Sequence, residues 1–235
     1  MTTLTKRFTI ITAMVLALPT LGAGWALAQA ISDWQKEFAL SDCNMLTTGR
    51  NQYFVLEPGH QLVLEGGDTK LQITVLEDTK TVDGVLTRVV EEREWEDGEL
   101  FEVSRNYFAI CEATNDVYYF GEDVEFYKNG KVANHEGSWL AGQDGNKAGL
   151  IMPGAPQPKM KYYQEIAPGL AMDRAEVVSL DETCETPAGT FSECLKVKEG
   201  TALNFLKVEY KYYAQNIGLV SDGELRLTSH GKVSQ

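Results

Sequence analysis

The most evident shortage in this chain of 235 residues is of basic side chains. It has 21 Lys and Arg residues against 34 Asp and Glu residues, which gives a net charge of −13. The first 30 residues hold two of the bases and none of the acids, so the remainder carries 19 bases, 34 acids and a net charge of −15. Such a body repels nucleic acids and anionic membrane surfaces. We therefore expect no nucleic-acid partner, while cations, cationic partners and neutral ligands remain open.

The sequence also lacks the motifs that announce a catalytic or metal site. It has no G-x-S-x-G elbow, no C-x-x-C pair and no calcium loop of the D-x-[DN]-x-[DN]-G type. The three histidines lie in unrelated contexts, with His60 at a turn and His230 in a polar tail. We predict no catalytic residue, no cofactor and no metal ligand. Two alternatives stay open because carboxyl groups are abundant: a hydrolase using carboxylates or His135, and an acidic protein that binds calcium.

Those carboxyl groups crowd two segments of the chain, 91–99 and 122–125. Catalysis by paired carboxylates requires a set separation, which a sequence does not show. Charged residues in such runs are usually solvated. We therefore interpret both segments as acidic faces in contact with water.

The first 30 residues have the layout of a secretory signal peptide. Two basic residues precede an uncharged apolar run over 8–21, and Ala28 and Ala30 form an A-x-A cleavage site. We predict cleavage after Ala30, a periplasmic or secreted bacterial location, and a single β domain over residues 31–235.

An uncleaved membrane anchor is the alternative for this segment, since no charge occurs between Phe8 and Ile31. Pro19, Gly22 and Gly24 interrupt the stretch where a membrane-spanning helix would continue. No cysteine follows the apolar run, which argues against a lipid anchor. We expect no stable membrane attachment after cleavage.

Four cysteines remain after residue 30, and an even number in an exported chain predicts two disulfides. The segment between Cys184 and Cys194 has the pattern of a strand, a turn at 187–189 and a second strand, which brings the two cysteines together. We predict a Cys184–Cys194 bridge and, by subtraction, a Cys43–Cys111 bridge. Metal ligation is the alternative, but it requires short cysteine spacings that are absent.

Apolar and polar residues alternate with a period of two through most of the chain, which predicts β-strands with one buried and one exposed face. The clearest apolar rows are Leu71, Ile73 and Val75, and then Leu206, Val208, Tyr210 and Tyr212. Turn dipeptides separate the strands: Gly66-Gly67, Asp83-Gly84, Asp97-Gly98, Asn129-Gly130, Ala188-Gly189 and Asp222-Gly223.

These patterns predict an all-β fold, an antiparallel meander of about ten to twelve strands that curls into a barrel, a half-barrel or a sandwich. A two-residue turn at Asn129-Gly130 would place Tyr127 opposite Val132. The corresponding turn at Asp97-Gly98 would place Arg93 opposite Glu102.

Two segments depart from the alternation. Ser32 to about Leu40 fits a short helix with a capping box, or equally an extended arm. Ala141 to Lys159 holds four glycines, three prolines and an apolar centre at 150–152, which predicts a long functional loop. With nearby aromatic residues, this loop forms our candidate ligand site. Its candidate residues are His135, Trp139, Asp144, Met152, Tyr162 and Tyr163.

Several segments resemble a widespread family of uncharacterised exported bacterial β-proteins. They are YYFGED from Tyr118, GSWLAGQDG from Gly137, IMPGAP from Ile151, YYQEIAPG from Tyr162, and YKYYA with IGLV from Tyr210. The resemblance covers much of residues 118–220 and implies an antiparallel β protein of the cell envelope, with no activity attached. More loosely, the chain looks like periplasmic lipid-carrier half-barrels, a likeness of fold alone.

Together these patterns predict a non-catalytic exported protein. Its expected partner is a small apolar ligand or another envelope protein, bound by the 141–159 loop and its aromatic neighbours.

Overall fold

The computed structural model describes residues 34–234. The predicted signal peptide and its cleavage site after Ala30 lie outside these residues. No helix within 34–234 has the length and apolar character needed to cross a membrane.

Antiparallel strands make up most of the described chain, as the period of two predicts. Several of them are segments of only two or three residues, which is why they exceed the expected ten to twelve. The strands are β1 Met45–Leu46, β2 Gly49–Asn51, β3 Phe54–Leu56, β4 His60–Gly66, β5 Thr69–Val82, β6 Val85–Glu96, β7 Glu99–Cys111, β8 Val117–Lys128, β9 Lys131–Asn134, β10 Trp139–Leu140, β11 Lys147–Met152, β12 Lys161–Tyr163, β13 Glu165–Ile166, β14 Asp173–Thr186, β15 Gly189–Thr201, β16 Asn204–Ala214, β17 Gly218–Asp222 and β18 Leu225–Lys232.

Sixteen of these strands form one curled, nearly closed sheet, and thirteen of them follow the order β12-β14-β15-β16-β17-β18-β4-β5-β6-β7-β8-β11-β13. The other three pair with strands of this order, β1 with β7, and β9 and β10 with β8. The two end strands of the order, β12 and β13, are separated in the chain by Gln164 alone. Closure depends on a close approach at Gly149 of β11, where a Cβ atom would collide with the Gln164 carbonyl oxygen. The structure is therefore the all-β barrel-like meander that the sequence predicts.

Type I′ geometry explains the tight hairpins of this sheet. Both residues of Asp83-Gly84, Asp97-Gly98 and Asn129-Gly130 have positive φ, between 48° and 78°. After Asn129-Gly130, Tyr127 pairs with Val132, as predicted.

After Asp97-Gly98 the predicted register is wrong by one residue. A bulge next to Trp95 and Glu94 places Glu94 opposite Glu102, and Arg93 opposite Val103. An extra residue on one strand of a pair shifts every later partner.

Strand β16 is turned the opposite way from the prediction. Leu206 is 94% exposed, and Val208 and Tyr210 are also exposed, whereas Lys211 and Tyr213 line the interior of the sheet. The prediction assumed an apolar core on the inner side, but the interior is polar at this level. The exposed apolar row lies on the outer face of the β15–β16 hairpin.

The N-terminal part of the described chain is an extended arm, not an α-helix. Gln35 pairs with Tyr162 in a parallel bridge, and its backbone carbonyl accepts a hydrogen bond from the Tyr163 N–H at 2.8 Å. The only helical turn in the predicted span and just beyond it, within the described residues, is a 3-10 turn at Leu40–Asp42. Pairing with β12 satisfies the backbone groups that a helix would have used.

The predicted long loop over 141–159 is interrupted by strand β11. Gly149 and Leu150 of β11 pair with Tyr119 and Tyr118 of β8, so the apolar centre of this segment is part of the sheet. Its glycines and prolines fall mainly in the turns on either side.

One of the two predicted disulfides is present. Cys43 and Cys111 are bonded and tie the N-terminal arm to β7, as predicted. Cys184 and Cys194 are buried free thiols, so that bridge was predicted wrongly. Irregularities in the β14–β15 ladder place Cys194 opposite Glu182 and Cys184 opposite Phe191. The hairpin still brings the two cysteines together, as predicted, and their thiols are in hydrogen-bonding contact without a bond between the sulfur atoms.

Candidate functional site

A cavity of about 170 Å³ lies inside the curled sheet. A cavity of this size accommodates a single aromatic ring or a short alkyl chain. The cavity is lined by strands from opposite halves of the curled sheet. The β2–β3 hairpin adds Phe54 and Val55 to the lining. The described structure therefore has an internal space that the side chains leave unfilled.

One part of the wall is apolar and follows directly from the alternation in β4 to β7. Leu71 and Val75 are buried, and Ile73 between them is half-buried because it faces the open space. The apolar lining side chains of these strands are Leu62, Leu71, Ile73, Val75, Val90 and Phe108. This part of the cavity offers a surface for an apolar group.

The other part of the wall is rich in carboxyl groups. Each of six strands, β6 and β13 to β17, contributes one charged side chain. They are Glu92, Glu165, Asp173, Glu199, Lys211 and Asp222. The lining thus contains five carboxyl groups and one ammonium group. A structural ion-pair network would need similar numbers of acidic and basic groups.

Lys211 is surrounded by carboxylates on the β15–β17 side. Its Nζ lies 3.0 Å from Glu199 Oε2, 3.4 Å from Asp222 Oδ2 and 3.9 Å from Glu209 Oε1. Burial opposes its charge, but Glu199 and Asp222 outweigh that effect and raise the pKa of Lys211 well above its ordinary value. Lys211 therefore carries a positive charge that its own neighbours already neutralise.

Glu199 is the best-supported carboxylate of the site and is 8% exposed. Besides Lys211, its Oε1 accepts hydrogen bonds from Gln164 Nε2 at 2.8 Å and from the Tyr213 hydroxyl at 3.3 Å. Gln164 is the residue that joins β12 to β13, so closure of the sheet places this donor. Glu199 therefore has one ion-pair partner and two hydrogen-bond donors.

Glu92, Glu122 and Glu165 form a second group of carboxyl groups, which we call the acidic trio. Among the described residues, Glu92 and Glu165 have neither a hydrogen-bond nor an ion-pair partner for the carboxyl group. Both side chains are half-buried, and both line the cavity. Glu122 lies beside them and contacts the buried hydroxyl of Tyr119.

Burial dominates the ionisation of the acidic trio. It raises the pKa of Glu92 to about 7, although the positive charge of Lys211 opposes the rise. Burial, reinforced by the charge of Glu92, raises the pKa of Glu122 to about 8. Burial and the charge of Glu122 raise the pKa of Glu165 well above its ordinary value. Near neutral pH the trio therefore holds protons that ordinary carboxyl groups release.

The acidic side of the cavity reaches the protein surface. Asp173, Glu199 and Lys211 also line a neighbouring groove, together with Leu206 and Val208 of the outer β16 row. Asp173 itself is exposed. A ligand entering on this side would meet the charged wall first and the apolar wall afterwards.

Three residues of the sequence-predicted site are core residues. Trp139 is buried edge-on against Tyr119, with ring centroids 5.4 Å apart, and Tyr119 in turn stacks on the cavity-lining Phe108. Met152 and Tyr162 are also buried. Neither the Trp139 Nε1 nor the Tyr162 hydroxyl has a hydrogen-bond partner in the described part of the chain.

The other three lie at or near the surface. His135 is exposed, and its Nδ1 is 2.8 Å from the Val124 carbonyl oxygen. Asp144 is an exposed turn residue with φ of 52°. Tyr163 packs edge-on against Trp34, with centroids 6.3 Å apart. None of the six predicted residues lines the cavity.

The carboxyl groups of the cavity were not predicted from the sequence, because acidic residues were assigned to solvated faces. Glu92 and Glu122 belong to the two acidic segments described above, yet both point into the sheet. The alternation of faces along β6 would have identified Glu92. This residue is two positions from the buried Val90, so the two side chains lie on the same face of the strand. No group of His, Cys, Asp or Glu within residues 34–234 has the geometry to hold a metal ion.

No protein-family model and no curated protein matches this chain. One solved structure is similar, the crystal structure of a "putative lipoprotein" from Parabacteroides distasonis ATCC 8503. The similarity covers 78% of this chain and 100% of that chain, with 13% sequence identity and a TM-score of 0.39.

Proposed function

We propose that this protein is a non-catalytic exported binding protein that holds a small, partly apolar ligand inside its curled sheet. The observation that carries the proposal is the internal cavity with an apolar wall on β4 to β7. Small-molecule sites are concave, mostly apolar and supplied with a few convergent polar groups. The cavity has these three properties, and it opens toward the groove beside Asp173.

The disulfide supports the exported location. Cys43–Cys111 joins residues 68 positions apart, and bonds of this kind persist mainly in oxidising compartments. The predicted signal peptide agrees with this location, and so does the resemblance to exported β-proteins of the cell envelope. A periplasmic carrier or binding protein is the role that these features favour.

Binding of hexanol, a neutral probe of suitable size, tests the proposal. Hexanol is titrated into isotopically labelled protein while NMR spectra of the Ile, Leu and Val methyl groups are recorded. We expect saturable shifts for methyl groups of Ile73, Val75 and Leu219, which line the cavity.

Two variants control this experiment. Ile73→Trp fills the cavity and should abolish the shifts, whereas Leu86→Trp, at a position 51% exposed on the outside of β6, should preserve them. Methyl dispersion shows whether each variant is folded. Shifts that survive Ile73→Trp in a folded protein would contradict the proposed function. So would the lack of any saturable shift in the unmodified protein, with hexanol and with charged analogues of the same chain length.

A further inference from the structure

We propose that the ligand of this cavity is a small organic ammonium compound, whose cationic nitrogen lies at the carboxyl groups of Glu92 and Glu165, the two members of the acidic trio that line the cavity. The apolar part of the same molecule lies against Ile73 and Val90. This inference rests on the proposed function and adds the chemical class of the ligand.

The first step is that no basic side chain among the described residues forms an ion pair with the acidic trio within 4.0 Å. Lys211 is the one basic side chain of the cavity lining, apart from the imidazole of His60. Its ion pairs within 4.0 Å are to Glu199, Glu209 and Asp222, not to the trio. Among the described residues, Glu92 and Glu165 therefore have no ion-pair partner within 4.0 Å. The charge of Lys211 acts on both from a greater distance and lowers the pKa of each, but this one ammonium group is shared among the five carboxyl groups of the lining.

The second step is the energetic cost of that arrangement. A half-buried carboxylate without a hydrogen-bonding partner is less stable than one fully in water, and repulsion among neighbouring carboxylates adds to this cost. Protonation removes the charge, but neither Glu92 nor Glu165 has a hydrogen-bond partner among residues 34–234. An ammonium group in the cavity would supply both the opposite charge and N–H donors.

The third step is the position of the apolar wall. Ile73 and Glu92 are direct partners across β5 and β6, and both face the cavity. Side chains in this relation have Cβ atoms about 5 Å apart. Val90, two residues before Glu92, lies on the same face of β6. A compact molecule with an ammonium group at one end and an apolar group at the other therefore fits both walls at once.

Three probes with the same alkyl chain separate charge from apolar contact: hexylammonium, hexanol and hexanoate. Each is titrated at pH 8 with the methyl NMR readout described above. We expect hexylammonium to bind about tenfold more tightly than hexanol or better, a difference of about 1.4 kcal/mol or more, and hexanoate to bind more weakly than hexanol.

Two variants locate the nitrogen. Glu92→Gln and Glu165→Gln each remove a carboxylate that has no hydrogen bond and no ion pair within 4.0 Å among the described residues, so we expect both proteins to fold. Each should reduce the affinity for hexylammonium about tenfold and leave that for hexanol unchanged. Glu96→Gln changes an exposed carboxyl group on the same strand and should alter neither affinity.

The affinity for hexylammonium should also rise between pH 6 and pH 8.5, because the cation favours ionised carboxyl groups. Lys211 and the acids of the surrounding strands contribute to the electrostatic field at the proposed nitrogen position. These groups are Glu92 and Glu94 of β6, Glu102 of β7, Glu122 of β8, Glu165 of β13, Asp173 of β14, Glu199 of β15, Glu209 and Lys211 of β16, and Asp222 of β17. His60 and the hydroxyls of Tyr119 and Tyr213 complete the set.

The outcomes distinguish this inference from the proposed function. Equal affinities for hexylammonium and hexanol, both lost in Ile73→Trp, would overturn the cationic ligand and leave a binding cavity. A preference for hexanoate, or a preference for hexylammonium that survives both Gln variants, would likewise overturn it. If none of the three probes binds, both the inference and the proposed function fail.

Discussion

Glu91 and Glu92 are neighbours on β6 and carry the same carboxyl group, yet they meet opposite surroundings. Glu91 Oε1 lies 2.6 Å from Arg93 Nε, and its Oε2 lies 3.3 Å from Arg105 Nε. Glu92 points to the other face of the strand, into the cavity, where no arginine is present among the lining residues. Successive residues of a strand face opposite sides. A difference of one position along β6 therefore decides whether a carboxylate has an arginine partner.

The raised pKa values of Glu92 and Glu122 predict a stability that falls as pH rises. The folded protein retains protons on these groups that the unfolded chain releases near pH 4.5. The stabilisation is therefore complete below about pH 4.5 and is lost as pH rises through about 7 for Glu92 and about 8 for Glu122. Between pH 5 and pH 7, Glu92→Gln should remove a slope of about 1 kcal/mol per pH unit from the free energy of unfolding.

Urea denaturation at pH 5, 6, 7 and 8 measures this slope. Glu96→Gln, which alters an exposed carboxyl group of the same strand, serves as the control and should follow the unmodified protein. Parallel pH profiles for Glu92→Gln and the unmodified protein would show that Glu92 ionises normally in the folded state.

At the scale of elements, β-bulges and strand orientation decide which face of each strand is inside. The bulge in the β6–β7 hairpin moves Arg93 from Glu102 to Val103. Strand β16 has a clean alternation that was interpreted with the wrong face inward. Alternation distinguishes the two faces of a strand but does not show which face is inside. The apolar face is usually the inner one, but in β16 the inner face is polar. Register and orientation therefore required the three-dimensional pairing.

The orientation of β16 predicts a contrast between two leucines on adjacent strands. Leu206 on β16 is 94% exposed, whereas Leu195 on β15 is fully buried. Leu206→Ala should change the free energy of unfolding by less than about 0.5 kcal/mol. Leu195→Ala should lower it by about 2–5 kcal/mol, because it leaves a cavity in the core.

Both values come from urea denaturation at a single pH, with circular dichroism as the readout. The two substitutions are chemically identical, so the difference reports burial alone. A loss above about 2 kcal/mol for Leu206→Ala would mean that the outer row of β16 is covered in solution.

At the scale of the whole molecule, closure of the sheet and one disulfide hold distant segments together. Closure unites Gln164, between β12 and β13, with Glu199 on β15. The disulfide attaches the arm at Cys43 to Cys111 at the end of β7. Neither contact is visible as a local pattern, since each joins residues far apart in the chain.

Removing the disulfide with paired Cys43→Ser and Cys111→Ser substitutions should lower the free energy of unfolding by about 2–4 kcal/mol. Urea denaturation measures the loss. The paired substitutions Cys184→Ala and Cys194→Ala are the matched control, because they remove two cysteines without breaking a bond. An equal loss in both double variants would assign the effect to packing, not to the bridge.

Thiol counting tests the state of the four cysteines directly. We expect iodoacetamide to modify two thiols in the unfolded, unreduced protein, those of Cys184 and Cys194, and four after reduction. In the folded protein both thiols are buried, so modification should be slow. An unfolded protein with no free thiol would restore the Cys184–Cys194 bridge that the sequence predicted.

The sequence by itself determined the class of fold, because alternation with a period of two and Asn-Gly or Asp-Gly turns are local properties of the chain. It also determined the Tyr127–Val132 pairing, which depends only on a two-residue turn. The tertiary structure alone decided that Glu92, Glu122 and Glu165 face inward, and that Trp139 and Met152 belong to the core. Those outcomes depend on bulges, on closure at Gln164 and on which side of each strand the sheet curls around, and these are properties of the assembled sheet.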